Sequence, residues 1–294
     1  MHDTGTPSPR PAVWRGLLQL MRPRQWIKNG FVLAPLIFAG QFMHAAAVWR
    51  ALIAMALFTV ASSATYIVND LRDIEQDRQH PQKALTRPLA AGTVRPAQAL
   101  LLLGFLYAVL LGVGWYAAPG VLGVVIGYLL LNLAYSFVLK HQPVVDIFTV
   151  ASGFVLRVYA GAVALDVPVS AWMFVTTLCL ALYLAAVKRR QELARGTSDT
   201  RSVLRHYSVA LVDRYAEMSA TGALVFYSLF VMSTHAHLVI TVPLVLFGLF
   251  RYWYVIESLE GGESPTDALL ADWQLLLTVI AWAAACVWAL WPGA

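Results

Sequence analysis

The segment ALIAMALFTVASSATYIVNDLRDIEQD, residues 51–77, joins a long apolar run to an asparagine and three aspartates. A helix needs about 20 mostly apolar residues to cross the hydrocarbon core of a membrane, and the run over 49–68 is long enough. Charged groups are costly at membrane depth. The segment therefore predicts a transmembrane helix that carries an acidic cluster at the membrane boundary.

The composition of the whole chain also favours a membrane protein. Of its 294 residues, 59% are hydrophobic and only 13% are charged, and the mean hydropathy is +0.65. Soluble domains carry about 25% charged residues. We expect a polar N-terminal tail over 1–20 and a single transmembrane domain over 21–294. The apolar runs predict an all-α polytopic bundle of nine transmembrane helices, at 29–47, 49–68, 97–117, 120–139, 145–165, 169–187, 213–234, 237–256 and 273–291.

Positive charge is concentrated on one side of the predicted spans. Nearly all of the 21 Lys and Arg residues fall in the N-terminal segment and in the even-numbered loops, which are also the long and polar ones. Cytoplasmic loops retain Lys and Arg, so we predict a multi-pass protein of the inner (cytoplasmic) membrane with its N-terminus and its functional site on the cytoplasmic side. The net charge of +5 then belongs to a membrane-facing surface, and we expect no nucleic-acid partner.

The acidic cluster has the spacing of a metal site. Asp70, Asp73 and Asp77 are spaced i, i+3, i+7, which places three carboxylates on one face of a helix, and Asn69 joins that face. A divalent cation relieves the repulsion between them, and Mg²⁺ typically takes one or two carboxylates together with substrate phosphate oxygens. We predict catalytic roles for all four residues and Mg²⁺ ligation by the three aspartates. The alternative is a solvated helix end with incidental acids.

Basic residues follow the acidic cluster directly. Lys83 and Arg87 lie in the next loop, where cations beside a carboxylate-held metal suit a diphosphate. By itself this run would be ordinary cytoplasmic positive charge. Beside the aspartates it predicts the second half of a binding site.

A second polar segment connects the predicted spans 120–139 and 145–165. Asp146 and Arg157 are eleven residues apart and return to nearly the same helical face, and an arginine inside a span costs about 2.5–3.5 kcal/mol on insertion scales. Such an arginine faces the bundle interior or a wet cavity. We predict substrate-binding roles for Tyr135, Lys140, His141, Asp146 and Arg157.

A third polar segment, AAVKRRQELARG, ends the span 169–187. Lys188 and Glu192 are i, i+4 partners, and Arg189 and Arg190 extend the cationic cluster. We predict that these four residues bind substrate. The alternative is a basic cluster that only terminates a membrane span.

The sequence resembles the UbiA superfamily of intramembrane prenyltransferases over roughly residues 20–290. The motif NDLRDIEQDRQHP resembles the first aspartate-rich motif of that superfamily, NDxxDxxxD, and RPRQWIKN before the first span fits as well. The resemblance implies a nine-helix catalytic bundle that binds an isoprenoid diphosphate through Mg²⁺ held by two aspartate-rich motifs. Where the second motif would stand, this chain has KRRQEL, and that departure disfavours an ordinary prenyl diphosphate donor.

The motifs look most like one branch of the superfamily, the decaprenyl-phosphate phosphoribosyltransferases. That branch transfers 5-phosphoribosyl from phosphoribosyl pyrophosphate to a polyprenyl phosphate and releases pyrophosphate, the first step toward lipid-linked arabinofuranose for cell-wall or glycan synthesis. The resemblance implies that Arg24 and Lys28, near the cytoplasmic end of the first span, meet the head group of the lipid phosphate. Membrane lipid is a further implied partner, and a homo-oligomer is compatible with the sequence.

Three other functions stay open at this point. A UbiA-type prenyltransferase could use a prenyl diphosphate with an aromatic or lipid acceptor, although the second acidic motif is missing. A transporter could use Asp146 and Arg157 as intramembrane relay groups, yet the chain has no internal repeat. A structural membrane protein would explain the bundle but would leave the aspartate motif without purpose.

Overall fold

The computed structural model describes residues 13–194, 202–258 and 265–291, and within these ranges the regular elements are all helical. Short 3₁₀ segments lie at Pro23–Leu33, Gln41–Met43, Leu139–His141, Ser202–His206 and Ala236–Thr241. The α-helices, in chain order, are α1 (Val13–Leu20), α2 (Ala34–Phe38), α3 (Ala45–Arg72), α4 (Ile74–Gln79), α5 (Lys83–Thr86), α6 (Pro96–Ala117), α7 (Pro119–Phe137), α8 (Val145–Leu165), α9 (Ala171–Ala194), α10 (Val209–Thr234), α11 (Val242–Ser258), α12 (Pro265–Ala271) and α13 (Trp273–Ala289).

Seven helical stretches among the described residues are long and apolar enough to cross a membrane. They correspond to the predicted spans from the second to the eighth. An eighth candidate is formed by α12 and α13 together, which are bent by 97° at Asp272. The chain is therefore a multi-pass integral membrane protein.

The first predicted span, 29–47, is divided in the structure. The 3₁₀ segment Pro23–Leu33, the short helix α2 and the 3₁₀ segment Gln41–Met43 replace one long helix. Gly40, with a φ of 65°, ends α2 in the left-handed region that glycine tolerates. The predicted count of nine spanning helices is therefore not reproduced within the described ranges, although the all-helical bundle is confirmed.

Helices α3 and α8 form the centre of the bundle. In each of them 56% of the most apolar stretch is buried inside the protein, against 22% in α6. The 3₁₀ segment Pro23–Leu33 packs directly on α8 because residue 161 is a glycine. A Cβ atom at Gly161 would lie 1.9 Å from the carbonyl oxygen of Val32. Polar residues on α3, α8 and the 3₁₀ segment consequently meet inside the bundle.

Candidate functional site

The predicted acidic face is bent at its middle residue. Helix α3 ends at Arg72, and Asp73 lies at the junction with α4, with φ −96° and ψ 13° and its N–H donated to the carbonyl of Asn69. Asp70 and Asp77 are buried, with 3% and 4% exposure, whereas Asp73 is only partly buried. The structure therefore buries two of the three predicted carboxylates and leaves the third partly exposed.

Three cations contact these two carboxylates. Arg22 lies 2.6 Å from Oδ1 of Asp70, and Arg87 contacts the same oxygen. Arg87 also lies 3.2 Å from Oδ2 of Asp77, and Nζ of Lys83 lies 3.4 Å from Oδ1 of Asp77. Lys83 and Arg87 are thus placed beside the aspartates, as the sequence predicts.

Arg22 was not among the predicted site residues. Its backbone is left-handed, with a φ of 53°, and its guanidinium lies 4.7 Å from the centre of the Tyr66 ring. Trp26 holds the same turn, because its indole N–H donates to Ser63 of α3 at 3.1 Å. Arg24, which is predicted to meet the head group of the lipid phosphate, is exposed.

The donor set fits a divalent cation that is completed by substrate. The described residues contain no group of three His, Cys, Asp or Glu side chains arranged to hold a metal ion. Asp70 and Asp77 nevertheless share one guanidinium nitrogen of Arg87, so their oxygens face a common point. Two carboxylates are what Mg²⁺ takes when phosphate oxygens supply further ligands.

The side chain of Asn69 contributes to helix packing beside Asp70 and Asp77. Its side-chain oxygen accepts a hydrogen bond of 2.8 Å from the hydroxyl of Ser136 on α7. Arg72 donates to the carbonyl of the same serine. These bonds fasten the end of α3 to the end of α7.

Arg157 lies in a buried polar position between α8 and the 3₁₀ segment. It is 5% exposed, and its guanidinium donates to Asn29 at 2.9 Å, to the carbonyl of Gly153 at 2.7 Å and to the hydroxyl of Tyr128 at 3.3 Å. All three acceptors are neutral. Aromatic rings surround the guanidinium at 5.0–5.6 Å, those of Phe58, Tyr128 and Phe154. A buried cation with neutral partners favours an anionic ligand nearby.

Lys28 adds a second cation to this region. It lies on the 3₁₀ segment, outside the seven spanning stretches. Burial, followed by the charges of Lys188 and Arg157, lowers the pKa of Lys28 to about 7, and Asp267 of α12 opposes this shift. Lys28, Arg157 and Lys188 together form what we name the cation cluster. An anion bound there would restore the protonated form of Lys28.

Asp146 pairs with a different arginine from the one that its helical spacing suggests. It is fully buried and lies 2.6 Å from Nε of Arg189, and its other oxygen accepts 2.7 Å from the hydroxyl of Tyr207. Arg189 also contacts Glu192 at 2.7 Å and the Tyr135 hydroxyl at 3.0 Å. Tyr135, Asp146, Arg189 and Glu192 thus form one internal network that joins α7, α8 and α9.

The basic residues predicted on α9 interact with different parts of the protein. Arg190 bonds Asp213 of α10 at 2.8 Å and contacts Glu257 of α11, so it holds three helices together. Lys188 is the member that acts on Lys28. Lys140 and His141 lie on the 3₁₀ turn between α7 and α8, at the same end of the bundle as the basic residues of α9.

The structure is a multi-pass helical bundle in which carboxylates and cations converge at one end. The chain belongs to the UbiA prenyltransferase family, whose model matches residues 31–271. This confirms the family predicted from the aspartate motif.

Two curated relatives refine the comparison. The decaprenyl-phosphate phosphoribosyltransferase of Mycolicibacterium smegmatis is 35% identical over 298 residues, covering 94% of this chain and 93% of that protein. The protein of the same name from Corynebacterium glutamicum is 34% identical, covering 91% and 84%. The solved structure of a UbiA homolog from Archaeoglobus fulgidus, bound to GPP and Mg²⁺, has a TM-score of 0.70 at 17% identity, covering 94% of this chain and 99% of that chain, and shows the shared fold.

Proposed function

We propose that this protein transfers 5-phosphoribosyl from phosphoribosyl pyrophosphate to a polyprenyl phosphate, releases pyrophosphate and depends on Mg²⁺. The supporting observation is the division of the site into two parts of opposite character. Asp70 and Asp77 provide a carboxylate pair suited to a metal-bound diphosphate, whereas the cation cluster suits a second phosphate without metal. The names of the curated relatives agree with this assignment.

The reaction needs charge stabilisation more than proton transfer. A phosphate monoester has its second pKa at about 6, so the lipid phosphate is largely a dianion at neutral pH. One of its oxygens attacks the anomeric carbon of the ribose, and the bond from that carbon to the pyrophosphate oxygen breaks. Mg²⁺ held by Asp70 and Asp77 would supply Lewis-acid stabilisation of the departing pyrophosphate.

The protein's own cations complete the proposed site. Arg22, Lys83 and Arg87, which lie beside the carboxylates, donate charge-assisted hydrogen bonds to the pyrophosphate. The cation cluster binds the remaining phosphate, either the 5-phosphate of the sugar or that of the lipid. Arg189 instead holds helices in place, because it is paired with the fully buried Asp146 and its own side chain is only 3% exposed. Arg190 links α9 to α10 and α11 through Asp213 and Glu257.

The substrates suggest where the reaction takes place. The sugar donor is water-soluble and reaches the site from the cytoplasm, while the polyprenyl chain stays in the lipid. A transmembrane catalytic domain over 21–294, in the inner membrane with its N-terminus and site on the cytoplasmic side, satisfies both. The product would feed lipid-linked arabinofuranose synthesis for a cell wall or another glycan.

The test is a transfer assay with purified protein in detergent. Radiolabelled phosphoribosyl pyrophosphate and decaprenyl phosphate should give a labelled lipid only when Mg²⁺ is present, and EDTA should stop its formation. A protein that yields no labelled lipid but transfers a prenyl group from a prenyl diphosphate would overturn the proposal in favour of an ordinary prenyltransferase. Asp70→Asn serves as the inactive control.

A further inference from the structure

The two buried carboxylates near the end of α3 already have counter-ions within the protein. Arg22 and Arg87 both contact Oδ1 of Asp70, while Arg87 and Lys83 contact the two oxygens of Asp77. Three positive charges therefore face two negative ones. In this arrangement the carboxylate pair does not present the net negative charge that attracts a free divalent cation.

A metal ion and these arginines compete for the same oxygens. Like charges a few ångströms apart repel strongly where water is scarce, and Oδ1 of Asp70 already accepts from two guanidiniums. Phosphate oxygens accept the same charge-assisted hydrogen bonds from an arginine as carboxylate oxygens do, and a pyrophosphate carries more negative charge than a carboxylate. A bound pyrophosphate would therefore draw the guanidiniums away and free the carboxylates.

The exposure of the side chains is consistent with such an exchange. The side chains of Arg22, Lys83 and Arg87 are 30%, 39% and 26% exposed, whereas those of Asp70 and Asp77 are 4% and 5% exposed. The cations therefore cover the carboxylates from the accessible side. A ligand that approaches the carboxylates meets the cations first.

The ion pair between Arg189 and Asp146 differs in exposure from the pairs of Asp70 and Asp77. Its two side chains are 3% and 0% exposed, so this arginine has no route to an incoming ligand. Arg22, in comparison, lies in the turn held by Trp26, and its side chain is 30% exposed. The pairs of Asp70 and Asp77, in contrast, have partly exposed cations that an incoming ligand can reach.

We propose that Arg22 and Arg87 are exchangeable counter-ions of Asp70 and Asp77, so that the divalent metal binds together with the pyrophosphate group and not before it. When pyrophosphate arrives, the guanidiniums move from carboxylate oxygens to phosphate oxygens, and the carboxylates turn to the metal. This inference rests on the diphosphate and metal of the proposed function, but not on the ribose.

The experiment measures metal and pyrophosphate binding separately. Mn²⁺ is titrated into the purified protein without pyrophosphate, and free Mn²⁺ is read from its electron paramagnetic resonance signal. Binding of labelled inorganic pyrophosphate is then measured by equilibrium dialysis with Mg²⁺ present. The variants are Arg87→Gln, which removes the charge, Arg87→Lys, which retains it, and Arg78→Gln, a control at an exposed pair with Glu75 on α4.

The proposal predicts opposite changes in the two affinities. Arg87→Gln should bind Mn²⁺ about tenfold more tightly than the unaltered protein, because one like charge is removed, and should bind pyrophosphate at least about tenfold more weakly. Arg87→Lys and Arg78→Gln should leave weak Mn²⁺ binding unchanged. Tight Mn²⁺ binding by the unaltered protein without pyrophosphate, or a loss of both affinities in Arg87→Gln, would overturn the exchange.

The proposed function and the exchange of counter-ions can be refuted separately. If phosphoribosyl pyrophosphate gives no labelled lipid but Arg87→Gln still shows the opposite changes, the exchange stands and the donor assignment falls. If transfer occurs and the opposite changes are absent, the exchange falls and the donor assignment stands.

Discussion

Replacement of Arg157 by methionine should remove substrate affinity while the fold persists. The variant leaves the oxygens of Asn29 and Tyr128 without this donor, and each unsatisfied buried acceptor costs about 1–3 kcal/mol. Removal of a buried charge whose partners are neutral is favourable by several kcal/mol. The two contributions oppose each other, so we expect the free energy of unfolding to change by less than about 2 kcal/mol.

The effect on binding should be larger. A hydrogen bond to a charged group contributes about 1.5–3 kcal/mol, and every 1.4 kcal/mol is about tenfold in affinity. Arg157→Met should therefore raise the KM of one phosphorylated substrate about 10- to 100-fold. Separate titrations of phosphoribosyl pyrophosphate and decaprenyl phosphate in the transfer assay will identify which phosphate the cation cluster binds.

Arg189→Met is the matched control for stability. Removal of the Arg189 guanidinium leaves the fully buried Asp146 without its ion-pair partner, a change that costs about 3–5 kcal/mol in comparable buried pairs. We expect its melting temperature in detergent to fall well below that of Arg157→Met. Equal losses of melting temperature in the two variants, or unchanged KM values for both substrates in Arg157→Met, would refute the argument that Arg157 awaits an anionic ligand.

Three further predictions concern pH, a buried hydroxyl and a close backbone contact. Because the pKa of Lys28 is lowered to about 7, its cationic form is lost as pH rises through that value, so affinity for the substrate whose phosphate the cation cluster binds should fall above about pH 7. Lys28→Arg should flatten this profile, and an unchanged slope in that variant would exclude Lys28 as its source. Tyr207→Phe removes a donor to Asp146 and should cost about 1–3 kcal/mol, visible as a lower melting temperature; an unchanged melting temperature would show that this bond contributes nothing. Gly161→Ala should displace the 3₁₀ segment from α8, because its Cβ would lie 1.9 Å from the Val32 carbonyl oxygen, and should reduce both melting temperature and turnover; a variant with native values of both would disprove the tight contact.

The sequence alone determined the membrane class, the acidic motif and most of the cationic positions. These depend on local properties: the length of apolar runs, the spacing of carboxylates along one helix and the cost of charge in a span. For this reason the predicted spans from the second to the eighth match helical stretches of the structure. The same local pattern placed Lys83 and Arg87 beside the aspartates.

Only the tertiary structure decided which charged groups are partners. Arg157 meets Asn29 across 128 residues of sequence, and Arg189 meets Asp146 across 43, although Asp146 and Arg157 share a helical face. Helical periodicity gives the direction of a side chain but not the identity of the neighbouring helix. The left-handed backbone at Arg22 likewise has no periodic signal, yet it brings that arginine to Asp70. The partner of each charged group follows from how the helices pack, because a buried charge can reach only the few side chains that packing places next to it.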